Sequence, residues 1–239
     1  MRYIIQREVF EKAPEFVRAV VLISKANNTG EAPGLEQKLR QRMAEIAADD
    51  QLTPGDKRIE AWGTLYRQFP APKGERIRPS IGNLIRRIQR GGADRIPFIS
   101  PLVALSNLVS LTYVVPSGLI DAARAKGDLI LGPATGWESF TPFGRSESAQ
   151  VEPGEIIYYD SATSVVMCRA WNSQGGQATA IQPTTTNAVL DIDCLLSVIP
   201  IEKLEEAAEF ISSLAQEFCG AKTHTFFLSQ STPEVEFEM

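Results

Sequence analysis

The chain has 239 residues, of which 44% are hydrophobic and 22% charged, a composition typical of a globular protein with a sizeable core. Its single histidine excludes a histidine-based metal cluster, and its three scattered cysteines form no zinc-binding or disulfide pattern. Neither an export signal nor an apolar run of membrane length is present, so we expect a cytoplasmic protein with no metal, cofactor or membrane partner.

The net charge of −5 hides a strong segregation of charge along the sequence. Residues 56–95 carry a local charge of +6, whereas residues 202–239 carry −6. A basic face can bind phosphate groups even when the total charge is negative. The alternative is a solvated helix surface whose charges pair with one another.

The first half of the chain predicts one strand followed by three helices. The β-branched run Phe16–Ser24 is typical of a buried strand. Apolar residues at helical spacing then predict amphipathic helices over residues 34–48, 56–69 and 81–89, and Ser80 is placed to cap the third. A proline-rich loop separates the second and third helices.

A central uncharged stretch follows over residues 97–121. The segment between Pro101 and Pro116 predicts a short helix that is buried nearly all round, because prolines bound it on both sides. Ser106, Asn107 and Ser110 would share one narrow face of this helix. Buried hydroxyl and amide groups need partners, so these side chains meet either the backbone or a ligand.

The second half of the chain is rich in short β-type segments separated by turns. They are predicted over residues 128–132, 138–143, 154–159, 164–171, 177–181 and 187–195. An amphipathic helix over 201–219, a strand over 223–228 and a frayed acidic tail complete the chain. The fold class is therefore α+β, organised as an extension (1–55), a core (56–200) and a C-terminal segment (201–239) that form one compact unit.

Four sequence signatures occur in a fixed order: RPSIGNLIRR at 78–87, PLVALSNLVSLTYVVPSGLID at 101–121, PGEIIYYD with VMCRAWNSQ at 153–174, and TTTNAVLD at 184–191. Together they resemble the B3/B4 module of the β-subunit of bacterial phenylalanyl-tRNA synthetase, and in particular the proteins that consist of this module alone. In the synthetase the module is the editing domain, which hydrolyses a mischarged amino acid from tRNA.

This resemblance implies roles for particular residues. Ser106-Asn107-Leu108-Val109 occupies the position of a segment that lines the editing pocket, and Gly118 replaces the histidine of the family motif. Asp191, six residues after Thr185, stands where the synthetase has a glutamate that recognises a substrate hydroxyl. An equally weighted interpretation is a structural carboxylate on an edge strand or in a turn. Asn107 and Asp191 are therefore the candidate catalytic residues, with Ser106, Ser110 and Gly118 in the substrate pocket.

The same resemblance places Arg169 and Trp171 in an R-x-W segment that could bind a carboxylate and stack on a ring. An equally weighted interpretation is a structural pair held by cation–π packing. The candidate RNA-binding residues are Arg76, Arg78, Arg86, Arg87 and Arg90. These features predict a hydrolase that deacylates mischarged aminoacyl-tRNA, or else a non-catalytic module that binds RNA, an amino acid or a small metabolite; DNA is not an expected partner.

Overall fold

The computed structural model describes residues 1–72, 77–92 and 95–238 and confirms the α+β class. Its helices are α1 (Arg7–Lys12), α2 (Pro33–Ala48), α3 (Lys57–Tyr66), α4 (Ser80–Gly91), α5 (Pro101–Tyr113) and α6 (Ile201–Cys219). Its strands are β1 (Arg2–Ile5), β2 (Phe16–Ser24), β3 (Ser117–Asp121), β4 (Leu129–Pro133), β5 (Ser139–Phe140), β6 (Ala149–Gln150), β7 (Ile156–Asp160), β8 (Val166–Arg169), β9 (Gln174–Gly175), β10 (Ala188–Leu195), β11 (Lys222–Leu228) and β12 (Glu234–Glu236).

Two main sheets, a short two-stranded sheet of β5 and β6, and a helical layer build the described part of the molecule. The larger sheet has the strand order β12-β1-β4-β7-β8-β9, and the smaller has the order β11-β2-β10-β3. Helices α2, α4, α5 and α6 share one hydrophobic core with the outer face of the smaller sheet. A second core lies between the inner faces of the two sheets, where alternate residues of each strand meet.

The smaller sheet explains why its central strands are apolar along their whole length. Strand β2 pairs with both β10 and β11, and its first eight residues are buried because helices cover one face and the larger sheet covers the other. Helix α5 is buried because α2, α4 and α6 pack around it and the smaller sheet lies beneath it, and it is capped by Val114, whose φ is 57°. A left-handed residue at this position is a common way to end a helix.

Three expectations about individual elements are wrong. Ser80 is the first helical residue of α4 and its side chain makes no capping hydrogen bond, since Pro79 occupies the capping position. Residues 177–181 form a turn and not a strand, because the chain there turns between β9 and β10. The acidic tail is not frayed up to residue 237: β12 pairs antiparallel with β1, and the Phe237 N–H donates to the Met1 oxygen, which gives these backbone groups partners.

In the part of the chain that the structure describes, no helix combines the length and apolar character that crossing a bilayer requires.

Candidate functional site

A cavity of about 130 Å³ lies where the inner faces of the two sheets meet. The smaller sheet contributes residues from β2, β3 and β10, and the larger sheet contributes residues from β7, β8 and β9. The residues that line it include Arg18, Ser117, Gly118, Tyr158, Met167, Cys168, Trp171, Asn172, Asp191 and Asp193. Cavities of about 150 Å³ hold a molecule the size of benzene, so this space suits a small side chain.

A buried ion pair forms one wall of the cavity. Arg18 on β2 stands opposite Asp193 on β10 in the strand register, and both side chains are 2% exposed. The guanidinium donates from Nε to Asp193 Oδ1 at 2.5 Å and from Nη2 to Oδ2 at 2.8 Å. Asn172 Nδ2 also donates to Asp193 Oδ2, at 2.8 Å. Burial of two charges is tolerated because each is paired and hydrogen-bonded.

Asp191 projects into the same cavity as Asp193, because residues two apart on a strand point to one face. Its Oδ2 lies 3.7 Å from Arg18 Nη1, while its buried Oδ1 has no hydrogen-bond partner among the described residues. Burial raises the pKa of Asp191 to about 7, although the nearby Arg18 guanidinium acts in the opposite direction. An unpaired carboxylate oxygen at a cavity is a group that a ligand can satisfy.

Gly118 lies directly across the ladder from Asp191, on strand β3. A Cβ atom built at this glycine meets no atom within 4 Å, and its backbone is not in a left-handed conformation. The absent side chain therefore leaves open cavity next to Asp191. In the family motif described above, a histidine stands at the position of Gly118.

We expect Gly118→Ala to raise the free energy of unfolding by about 0.4–1 kcal/mol, since the added methyl meets open space and restricts the unfolded chain. Gly176→Ala is the matched control, because its Cβ would lie 2.6 Å from the backbone oxygen of Val166. That variant should lose about 1–3 kcal/mol through overpacking. Urea denaturation measures both, and a destabilised Gly118→Ala protein would contradict the open space at this site.

Trp171 is a buried aromatic residue among those that line the cavity. Its side chain is 1% exposed and packs edge-on against Phe16, Trp62 and Phe69. Its φ of 65° follows a φ of 48° at Ala170, a left-handed pair that redirects the chain after β8. The indole Nε1 is buried with no hydrogen-bond partner in the described residues. Trp171 thus adds an aromatic residue to the lining of the cavity and carries one buried donor without a partner in the described residues.

The three polar residues predicted to share one face of α5 make different kinds of contact. Ser106 Oγ lies 2.9 Å from Ser117 Oγ, and Ser117 lines the cavity. Ser110 donates to the backbone oxygen of Val115, so it closes the end of its own helix. Half-buried Asn107 is not among the residues that line the cavity. Of the two candidate catalytic residues, the structure brings only Asp191 to this space.

Arg169 does not lie at the cavity either. Its side chain points to the opposite face of β8, where its Nε donates to both carboxylate oxygens of Glu155, at 2.9 and 3.1 Å. A further bond of 2.9 Å joins Nη2 to the backbone oxygen of Gln150, and the guanidinium lies 5.8 Å from the Phe140 ring centre. Of the two interpretations of Arg169, its contacts fit the structural one: an internal ion pair with Glu155 and cation–π packing, although the ring is that of Phe140 and not of Trp171.

The predicted RNA-binding arginines lie on and near helix α4. Arg78 and Arg86 line an open groove of about 680 Å³ between α3 and α4, together with Arg67. Arg87 and Arg90 are exposed, and Arg87 donates to the backbone oxygen of Arg95. Arg76 lies outside the described residues. The groove adjoins the cavity, because Tyr66 lines the groove and its hydroxyl donates to Asn172, which lines the cavity.

Arg18 and Asp193 were not predicted as site residues. Arg18 is the one charge inside the apolar run FVRAVVLIS, and such a charge requires a buried partner of opposite sign. The segment AVLDIDCL places two aspartates on one face of another apolar strand. These two irregularities are the sequence signal that would have paired the strands and identified the site.

The fold and the cavity define an α+β protein with two facing sheets that enclose a small polar site. The B3/4 domain family matches residues 71–220, more than half of the chain, so the chain belongs to that family. No curated protein matches it.

Among solved structures, the chain is similar to an N-terminal fragment of the phenylalanyl-tRNA synthetase β-subunit from Pyrococcus horikoshii, with 13% identity and a TM-score of 0.48. The match covers 93% of this chain and 52% of that one, so the chain spans about half the length of that fragment.

Proposed function

We propose that the protein has a tRNA-related role and deacylates a mischarged aminoacyl-tRNA, with the aminoacyl group held in the cavity between the two sheets. Membership of the B3/4 domain family supports the tRNA-related role. The observation that carries the hydrolytic activity is Asp191, a buried carboxylate whose Oδ1 is unpaired at the cavity. A carboxylate with a pKa near the working pH is suited to general-base catalysis.

The reaction needs a water molecule, a base and a partner for the developing oxyanion. Asp191 accepts a proton from the water molecule, and the water oxygen attacks the carbonyl carbon of the ester. The bond between that carbon and the ribose oxygen then breaks, and the ribose oxygen takes up a proton. Trp171 Nε1 is an unpaired donor, within the described residues, on a residue that lines the cavity, and we assign it to the oxyanion. The Asn172 amide and the Ser117 hydroxyl are already hydrogen-bonded, to Asp193 and Ser106 respectively.

The groove between α3 and α4 supplies a surface for the phosphates of the tRNA. Its arginines come from three separate elements: Arg67 follows α3, Arg78 precedes α4 and Arg86 lies within α4. Guanidinium groups bind phosphate oxygens through paired N–H donors. The groove adjoins the cavity through the hydrogen bond from Tyr66 to Asn172, so we assign the groove to the tRNA backbone next to a 3′ end that enters the cavity.

The direct test mixes the purified protein with a panel of tRNAs that carry noncognate amino acids and measures the release of free amino acid. We expect release above the spontaneous rate for at least one pair, and the preferred amino acid to have a small side chain, because the cavity measures about 130 Å³. The measurement is repeated from 50 to 200 mM salt, where the apparent affinity for tRNA should fall steeply as phosphate contacts weaken. Absence of accelerated release from every member of the panel would overturn the deacylase proposal.

The second candidate function is a module that binds an aminoacyl-tRNA without hydrolysing it. Gly118, in place of the histidine of the family motif, favours this candidate, because it removes a group that handles protons. In the same assay, this function gives salt-dependent binding of the charged tRNA with no release.

A further inference from the structure

The cation of the cavity's buried ion pair comes from a part of the chain that the family match leaves out. The B3/4 match begins at residue 71, whereas Arg18 belongs to β2, near the start of the chain. Strand β2 is inserted between β10 and β11 and pairs with all eight residues of β10. The segment that precedes the family domain therefore supplies the only guanidinium among the residues that line this cavity in the described structure.

The geometry around Arg18 fixes its side chain in one orientation. Two of its nitrogens donate to Asp193 and the third donates to the Tyr3 hydroxyl. The rings of Tyr3, Phe16 and Tyr158 lie 5.5 to 5.8 Å from the guanidinium carbon. With every nitrogen engaged and three aromatic rings around it, the guanidinium cannot leave the neighbourhood of Asp191, whose Oδ2 is 3.7 Å away.

We infer that Arg18 is a positioning residue of this site: its guanidinium, fixed by Asp193 and Tyr3, lies 3.7 Å from the Asp191 carboxylate and orients it at the cavity. The effect of Arg18 on hydrolysis rests on the proposed function. The effect of Arg18 on the Asp191 carboxylate rests only on the contacts that residues of β2 make. Asp191 is the group that touches the substrate. Arg18 acts through it, and Asp193 fixes Arg18 in place.

Other groups that face Asp191 stay neutral over the relevant pH range. They are Tyr3 on β1, Tyr158 on β7 and Cys168 on β8. Burial raises the pKa of both tyrosines well above 10 and that of the Cys168 thiol to about 12. The charges that face Asp191 therefore come from Arg18, which lowers its pKa, and from Asp193, which raises it.

The test measures the titration of Asp191 by carbon-13 NMR of its carboxyl group, identified by the signal that disappears in Asp191→Asn. Arg18→Gln removes the cation, so we expect the midpoint to rise by about one unit or more. Asp193→Asn removes the like charge, so the midpoint should fall. Shifts of opposite sign distinguish an electrostatic role from general loosening of the structure, which would move both variants in the same direction.

The double variant Arg18→Gln/Asp193→Asn keeps the experiment informative if Arg18→Gln alone does not fold. It leaves no unpaired charge in the pair, and its midpoint should still lie above that of the wild type, because the effect of Arg18 on Asp191 exceeds that of Asp193. An unchanged midpoint in the folded variants overturns the inference. The titration needs no substrate, so it stands if the deacylase proposal fails; if deacylation is found, its pH profile should shift with the midpoint.

Discussion

We expect Asp191→Asn to lower the rate of deacylation by about 10²- to 10⁴-fold, the range over which a general base contributes to catalysis. Asparagine has nearly the same shape as aspartate but cannot accept a proton from water. It also fills the same place between Arg18 and Gly118, so the cavity keeps its size. The loss should therefore appear in kcat, with little change in the affinity for tRNA.

The pH dependence of the deacylation rate provides a second test of Asp191 as the general base. Asp191 acts as a base only when it is ionised, and its pKa is raised to about 7. The rate catalysed by the wild-type protein should thus rise from pH 6 to pH 8 and level off above the pKa. After the spontaneous rate is subtracted, Asp191→Asn should show no such step.

Asn107→Ala is the matched control for this experiment, because sequence reasoning gave Asn107 the same role as Asp191. Since the Asn107 side chain is not among those that line the cavity, we expect its removal to leave the deacylation rate unchanged. A strong loss in Asn107→Ala with an unaffected Asp191→Asn would assign the chemistry to the face of α5 and contradict the site described above.

The second large effect concerns stability. We expect Arg169→Ala to lower the free energy of unfolding by about 3–5 kcal/mol, because it leaves the Glu155 carboxylate buried without its cation. Glu155 is fully buried and also accepts the backbone N–H of Ala170, so it cannot turn towards water. Urea denaturation at neutral pH measures the loss directly.

Two comparisons separate this structural role from a role in ligand binding. Arg145→Ala removes an exposed guanidinium and should change stability by less than about 0.5 kcal/mol. Arg169→Met/Glu155→Leu removes both charges and should recover much of the stability that the single change loses. If the Arg169→Ala protein is fully stable but binds tRNA poorly, the result would contradict the structural role and support the ligand contact suggested by the sequence.

The sequence predicted those elements whose pattern is local and repeated. Strand β2 and helix α6 have the predicted bounds, since an apolar run and a helical stripe each need no knowledge of partners. The tail strand β12 was missed, because its short segment has no core of its own and forms only through pairing with β1. Pairing between distant strands is not encoded in a local pattern.

The site was predictable only in part, for the same reason. The resemblance identified Gly118 and Asp191, which face one another across the β3–β10 ladder. It did not separate the two faces of β8, where Arg169 turns away from the cavity while Cys168 lines it. A bulge between β7 and β8 shifts the register there, so alternation could not be carried through from the strand before.

The pairing of β1 with β12 has a mechanical consequence. Residues near the two ends of the chain are hydrogen-bonded neighbours, with Arg2 beside Glu236 and the Met1 amino group 3.2 Å from the Phe237 oxygen. Because these two ends lie at the same end of an antiparallel ladder, a force that pulls them apart breaks the hydrogen bonds of the ladder one after another. It does not load all of these bonds at the same time. Single-molecule stretching should open this edge at low force, before the tension reaches the strands that surround the cavity.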